Sequence, residues 1–116
     1  MDFCSDFRQD LTLGKDTEKM YADIFKGNKI EIKDDSKHSR RTGNVFIEYE
    51  SRGKPSGIAT TEADYWAIRT SEHTFVTVST KRLKEISRKY IGTKRDVRGG
   101  DNNTSLGILL PRHELL

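Results

Sequence analysis

The chain has 116 residues, of which 33% are hydrophobic and 34% are charged, and its formal net charge is +3. This length suits a single modest core, so we expect residues 1–116 to form one domain. No apolar run approaches the ~20 residues of a membrane-spanning helix, and a lone cysteine, Cys4, excludes an internal disulfide and a cysteine-based zinc site. We therefore expect an intracellular protein with no membrane partner.

The first predicted helix covers Thr17 to Lys26. Two segments follow, residues 30–35 and 45–50, in which apolar and charged side chains alternate as in half-buried strands. A short basic loop, Ser36 to Gly43, joins them, and this arrangement predicts a β-hairpin. The alternation places Ile30, Ile32, Ile47 and Tyr49 together on the core side.

The rest of the chain predicts two more strands, a second helix and a closing strand. In chain order, we expect a turn-rich loop at Arg52–Gly57, strands at Ala63–Arg69 and Thr74–Ser79, a helix from Thr80 to about Tyr90, a flexible loop at Arg98–Ser105 and a strand at Leu106–Leu110. The order α-β-β-β-β-α-β predicts an α+β domain with a mixed sheet of four to five strands flanked by two helices.

Basic side chains are concentrated around the second predicted helix. Such clustering is typical of a surface that binds a polyanion, although a solvated helix face has the same composition. Against Glu85 and Asp96, residues 81–98 contain eight basic side chains: Lys81, Arg82, Lys84, Arg88, Lys89, Lys94, Arg95 and Arg98.

The charged face of the predicted hairpin gathers carboxylates around a lysine. Glu31, Lys33 and Asp35 share one face of the first strand, and Glu48 and Glu50 share a face of the second. If Lys33 pairs with Glu48, Asp35 lies diagonal to Glu48, within roughly 7–8 Å. A few carboxylates, completed by water and phosphate oxygens, are the ligands that Mg²⁺ prefers. A solvent-exposed face with Glu–Lys pairs has the same spacing.

This pattern resembles the PD-(D/E)XK nuclease superfamily, which places an acidic residue near one strand and E-x-K, or a variant such as E-x-E, on the next. Asp35 or Asp34 matches the upstream acid, Glu48-Tyr49-Glu50 matches the E-x-E variant, and Glu18 matches a further glutamate on a preceding helix. The segments Thr42–Glu48, Gly53–Ile58 and Ala63–Trp66 are similar to the signature region of small phage-encoded endonucleases and Holliday-junction-resolvase-like members.

The resemblance implies a Mg²⁺-dependent DNA endonuclease, with Mn²⁺ as a substitute, that cleaves structured or branched DNA in a phage context, in the cytoplasm of the host cell. Asp35, Glu48 and Glu50 would hold the metal, Lys33 would stabilise the transition state, and Glu18 would be a further catalytic carboxylate that binds the metal or supports its ligands. The chain departs from the common motif because Glu50 replaces its lysine. A second assignment uses Glu31-Ile32-Lys33 as the E-x-K, with Asp23 or Asp16 as the upstream acid.

DNA is the expected partner, and the sequence also permits a homodimer. One alternative is a non-catalytic nucleic-acid-binding protein with a nuclease-like fold. Another is a small ribonuclease or host-directed regulator, because a basic surface does not by itself distinguish DNA from RNA. The residues expected to contact the phosphate backbone are Lys37, Arg40, Arg41, Arg52, Lys54, Lys81, Arg82, Lys84, Arg88, Lys94 and Arg95.

Overall fold

A computed structural model describes the backbone of residues 3–116 and the side chains of residues 14–100 and 102–116. The described chain forms three α-helices: α1 (Phe3–Phe25), α2 (Ser36–Thr42) and α3 (Thr80–Arg88). Its seven strands are β1 (Ile30–Asp34), β2 (Asn44–Ser51), β3 (Lys54–Pro55), β4 (Tyr65–Ser71), β5 (Thr74–Ser79), β6 (Asp96–Gly99) and β7 (Ser105–Pro111). The predicted α+β class is confirmed.

A mixed sheet contains three strands in the order β1-β4-β5. β1 runs parallel to β4, with Asp34 beside Arg69, and β4 runs antiparallel to β5. A parallel pair needs a long crossover connection, which here contains α2, β2 and β3. The predicted hairpin between β1 and β2 is therefore wrong, and so is the predicted pairing of Lys33 with Glu48.

The basic segment predicted to be a hairpin loop is the helix α2. Ser39 donates its N–H to the carbonyl of Asp35 at 2.7 Å, and Gly43 donates its N–H to the carbonyl of Ser39 at 2.8 Å. Gly43 ends the helix in the left-handed conformation, with φ 76°, which glycine adopts without a steric clash. Because this helix separates the two strands, β2 enters a different sheet from β1.

The second sheet is antiparallel and has the order β3-β2-β7-β6. β2 pairs along its length with β7, beginning with Asn44 opposite Pro111. Arg52 and Gly53, with φ of 52° and 78°, then turn the chain tightly into β3. The strands are thus divided between two sheets. β3 lies in the predicted loop Arg52–Gly57, and the last two residues of β6 lie in the predicted loop Arg98–Ser105.

The core lies between the inner faces of the two sheets and α3. Val45 and Ile47 are fully buried there, which confirms the predicted core side of β2. In the part of the chain that the structure describes, no helix combines the length and the apolar character needed to cross a membrane. The buried cluster contains Val45, Ile47, Ile58, Trp66, Ile68, Val78, Leu83, Ile86, Ile108, Leu110 and Leu115.

The face of β1 that points to the core carries Lys33, and not Ile30 and Ile32 as predicted. Ile32 lies beside Ala67 and is 74% exposed, whereas Lys33 lies beside the buried Ile68. Parallel pairing with β4 sets this orientation, because paired residues in neighbouring strands point to the same face. The prediction that Ile32 belongs to the core is wrong, and Lys33 points inward instead.

α1 begins well before the predicted start at Thr17 and ends at Phe25. Tyr21 on this helix lies with its hydroxyl 3.3 Å from the Thr77 hydroxyl of β5. Met20 and Phe25 are at least half exposed, so the apolar stripe expected to hold this helix on the core is largely uncovered in the described chain.

Candidate functional site

Asp35 lies at the corner where β1 passes into α2. Its side chain is only 10% exposed and forms an ion pair with Lys33, which is 23% exposed. Its second oxygen, Oδ2, accepts the backbone N–H of Phe46 at 2.7 Å. Since Phe46 is in β2, this contact joins the end of β1 to the strand that carries Glu48.

Asp34 lies on the opposite face of β1 and has other partners. Its carboxylate accepts the N–H of Ser36 at 2.9 Å and pairs with Arg69 at 3.1 Å. Hydrogen bonds from the Ser36 hydroxyl and N–H, followed by the Arg69 guanidinium, lower the pKa of Asp34 to about 2. Of the two candidates for the upstream acid, only Asp35 faces β2.

Glu48 is half-buried on the outer face of the antiparallel sheet, opposite Gly107. Its Oε2 accepts the Ser56 hydroxyl at 2.9 Å. Glu48 follows Phe46 by two residues, which is about 7 Å along an extended strand and on the same face. Asp35 thus contacts the backbone of β2 two residues before Glu48.

A β-bulge separates Glu48 from Glu50. Glu48 is paired with Gly107 and Glu50 with Leu106, which are consecutive residues of β7. Consecutive strand residues point to opposite faces, so Glu48 and Glu50 do too. The prediction that they share a face is wrong, because the extra residue, Tyr49, breaks the alternation. Glu50 therefore does not join Glu48 as the predicted metal ligand.

The other carboxylates proposed as ligands are scattered. Among the described residues, no group of three or more His, Cys, Asp or Glu side chains is placed to hold a metal ion. Glu18 lies exposed on α1, away from β1 and β2 in the chain. The second assignment, with the E-x-K at Glu31, does not form a site either. Glu31, Asp16 and Asp23 are all exposed, and the last two lie on α1.

The basic side chains of α2 begin immediately after Asp35. Lys37, Arg40 and Arg41 are exposed, and together with His38 they line an open recess of about 600 Å³. Guanidinium and ammonium groups arranged in this way suit phosphate oxygens. These basic side chains therefore follow the acidic residue Asp35 as predicted, but they lie on a helix and not in a loop.

The outer face of the antiparallel sheet carries a second recess beside Glu48. It has a volume of about 420 Å³, and its lining includes Glu48 and Arg52. Phe46 packs on this face against Gly107, where an added Cβ would lie 2.6 Å from the ring. Arg52, one of the predicted phosphate contacts, is exposed and borders this recess, and Lys54 is exposed on the neighbouring strand β3.

The predicted phosphate contacts of α3 occupy a different surface. α3 packs through Leu83 and Ile86 against the inner faces of the sheets, on the side opposite to Glu48. The predicted phosphate contacts of this helix therefore do not border the recess beside Glu48. They are Lys81, Arg82, Lys84 and Arg88.

Lys94 and Arg95 follow α3 and behave differently from each other. Lys94 is exposed. Arg95 donates to the side chain of Asn44 at 3.0 Å and to the carbonyl of Leu109 at 2.9 Å. These contacts fix its guanidinium against β2 and β7, so Arg95 has a structural role, and its contact with the phosphate backbone stays a prediction.

Ser56 and Gly57 contact Glu48, although they lie in the turn-rich loop and are not among the predicted site residues. Ser56 holds Glu48, and Gly57 passes so close that an added Cβ would lie 2.3 Å from the Glu48 carbonyl oxygen. The sequence signal was the Pro-Ser-Gly run itself, which marks a turn without indicating what the turn touches. No protein-family model, curated protein or solved structure matches the chain.

Proposed function

We propose that the protein is a Mg²⁺-dependent endonuclease that hydrolyses phosphodiester bonds of structured or branched DNA. The observation that carries the proposal is the placement of Asp35 and Glu48 along one stretch of β2, with Lys33 paired to Asp35. The resemblance to PD-(D/E)XK nucleases supports the same chemistry, as does the basic helix α2 directly after Asp35.

The donor set suits Mg²⁺ as a partial site. Mg²⁺ is commonly held by one or two carboxylates, with waters and substrate phosphates as the other ligands. Asp35 and Glu48 would supply these carboxylates, and both keep lone pairs beyond the hydrogen bonds that they accept. The chemistry that Mg²⁺ supplies in such sites is activation of water and neutralisation of charge on the phosphate.

The chain's own side chains would position the substrate. Lys33, held beside Asp35, would oppose the negative charge that develops on the phosphate. The exposed cations of α2 would bind phosphates on one side of the Asp35–Glu48 pair, and Arg52 would bind on the other. These contacts carry no sequence information, which is consistent with a substrate chosen by its structure.

The test compares cleavage of supercoiled plasmid and of a four-way junction by wild type, Glu48→Gln and Glu50→Gln, with Mg²⁺ and with Mn²⁺. Both substitutions remove one carboxylate charge from β2, two residues apart. We expect Glu48→Gln to lower the rate by about 100-fold or more and Glu50→Gln to change it by a few-fold at most, because only Glu48 faces the site.

Equal loss in both variants would contradict the assigned faces. Absence of metal-dependent cleavage by the wild type on every DNA tested would overturn the enzyme proposal. Circular dichroism of both variants checks that the fold is retained.

A second candidate is a non-catalytic nucleic-acid-binding protein with a nuclease-like fold. The observation that favours it is the Lys33–Asp35 ion pair, which balances the buried carboxylate without a metal ion. This candidate requires salt-sensitive DNA binding that is the same for wild type and Glu48→Gln and that a chelator does not change.

A further inference from the structure

A cavity of about 290 Å³ opens between α3 and the inner face of the antiparallel sheet. Ile58 and Ile108 form its apolar floor, and the ring of Tyr49 forms one wall. The Tyr49 hydroxyl donates to Asp96 at 2.6 Å, which fixes that wall. Ile91 borders the cavity and is 58% exposed. Size and lining match a site for one small, partly apolar ligand.

Two cations border the same cavity. Lys84 and Arg88 line it from consecutive turns of α3, about 6 Å apart along the helix axis. In the described chain, Arg82 pairs with Glu85 and Lys89 pairs with Glu114, whereas Lys84 and Arg88 have no carboxylate partner. Two adjacent unpaired cations match the charge of a terminal phosphate, which is about −1.5 to −2 at neutral pH.

We propose that this cavity binds one nucleotide unit, with the base between Tyr49 and the isoleucines and the phosphate on Lys84 and Arg88. The base offers a flat apolar face to the floor of the cavity. Two sources supply this chemistry: a free mononucleotide, or an unpaired nucleotide within DNA. The second source rests on the proposed function, because it would place an unpaired base of a structured substrate on the side of the sheet opposite to Glu48.

The test is titration of the isoleucine-methyl-labelled protein with thymidine 5′-monophosphate and with deoxyribose 5-phosphate, without Mg²⁺. We expect ring-current shifts at Ile58, Ile91 and Ile108 with the nucleotide only. Replacing Lys84 and Arg88 by glutamine should weaken binding by about tenfold or more. The matched pair Lys19→Gln and Lys26→Gln removes the same charge at exposed positions outside the cavity and should leave the affinity unchanged.

A further variant, Ala59→Trp, fills the cavity from an exposed lining position and should remove the nucleotide shifts.

The same methyl shifts with a duplex containing one unpaired thymidine, and not with a perfect duplex, would identify DNA as the source. Shifts with the free mononucleotide alone would identify a small-molecule site. Absence of methyl shifts at millimolar nucleotide, or equal binding of the sugar phosphate, would overturn the proposal. Binding is measured without cleavage, so its failure is distinct from failure of the nuclease proposal.

Discussion

Asp35 accepts both the Phe46 N–H and the Lys33 ammonium while its side chain is 10% exposed. Removal of its carboxylate would leave a buried backbone donor without a partner, which costs about 1–3 kcal/mol, so a loss of cleavage in such a variant would have two causes. Among the described residues, Glu48 accepts a side-chain hydroxyl from Ser56 and no backbone N–H. Glu48 is therefore the better residue for separating chemistry from folding.

Tyr49 is expected to titrate well above an ordinary tyrosine. The hydrogen bond to Asp96, followed by burial and by the charges of Asp96 and Glu50, raises its pKa from 10.0 to about 12. The protonated phenol is the form that the fold favours. Its contribution to the free energy of unfolding is complete below pH 10 and is lost as the pH rises from about 10 to about 12.

Measurement of tyrosinate absorbance against pH checks this expectation. Wild type should show one tyrosine that titrates near pH 12, and Tyr49→Phe should lack it. Asp96→Asn, which removes the acceptor charge, should return the transition towards its ordinary position. An ordinary pKa for Tyr49 in the wild type would show that the contact with Asp96 does not form.

At the scale of elements, the sequence predicted β2 better than its surroundings. Val45 and Ile47 are buried as the alternation requires, but the alternation fails at the bulge beside Tyr49, where no glycine or proline marks an irregularity. α2 was predicted to be a loop because it is short and basic, with no apolar stripe. Its stability depends on the Gly43 ending and on packing, which local sequence does not reveal.

The turn before β4 supports β2 through one close approach. Gly57, with φ 54°, has no room for a Cβ against the Glu48 carbonyl, whereas Gly53, with φ 78°, has nothing within 4 Å of that position. Both glycine-to-alanine changes strain a left-handed residue, at about 1–2 kcal/mol. We expect Gly57→Ala to cost about 1–3 kcal/mol more than Gly53→Ala, because the strand or the turn must also move.

Urea unfolding of the two variants measures this difference. Gly57→Ala should also lower nuclease activity, if that activity is found, since the displaced turn carries Ser56 away from Glu48. Equal destabilisation by both changes would mean that the turn does not press on β2.

At the scale of the whole molecule, the two-sheet arrangement could not be read from the sequence. β1 and β2 are adjacent in the chain and have similar patterns, so a hairpin was the simplest prediction. The structure instead pairs β1 with β4 and β2 with β7. Asp35 still reaches β2, through the Phe46 N–H and not through strand pairing. Pairing across long sequence separations depends on the total burial of both sheets, which no local pattern specifies.

Two identical substitutions test this arrangement. Ile47 is fully buried between the sheets and Ile32 is 74% exposed on the outer face of the mixed sheet. We expect Ile47→Ala to lower the free energy of unfolding by about 2–5 kcal/mol and Ile32→Ala to change it by about 0.5 kcal/mol or less. Thermal or urea unfolding measures both. A large decrease in the free energy of unfolding for Ile32→Ala would contradict this arrangement and support the predicted hairpin, in which this side chain belongs to the core.

The pairing of Asn44 with Pro111 also has a consequence for biosynthesis. A growing polypeptide emerges from the ribosome in order, and β2 has no long partner strand until the residues up to Pro111 have been translated. β2 therefore stays without its partner β7 in the nascent chain, with its valine and isoleucine side chains uncovered. At a translation rate of about 5–20 residues per second, this lasts several seconds. Chaperone capture during translation would act on this segment first.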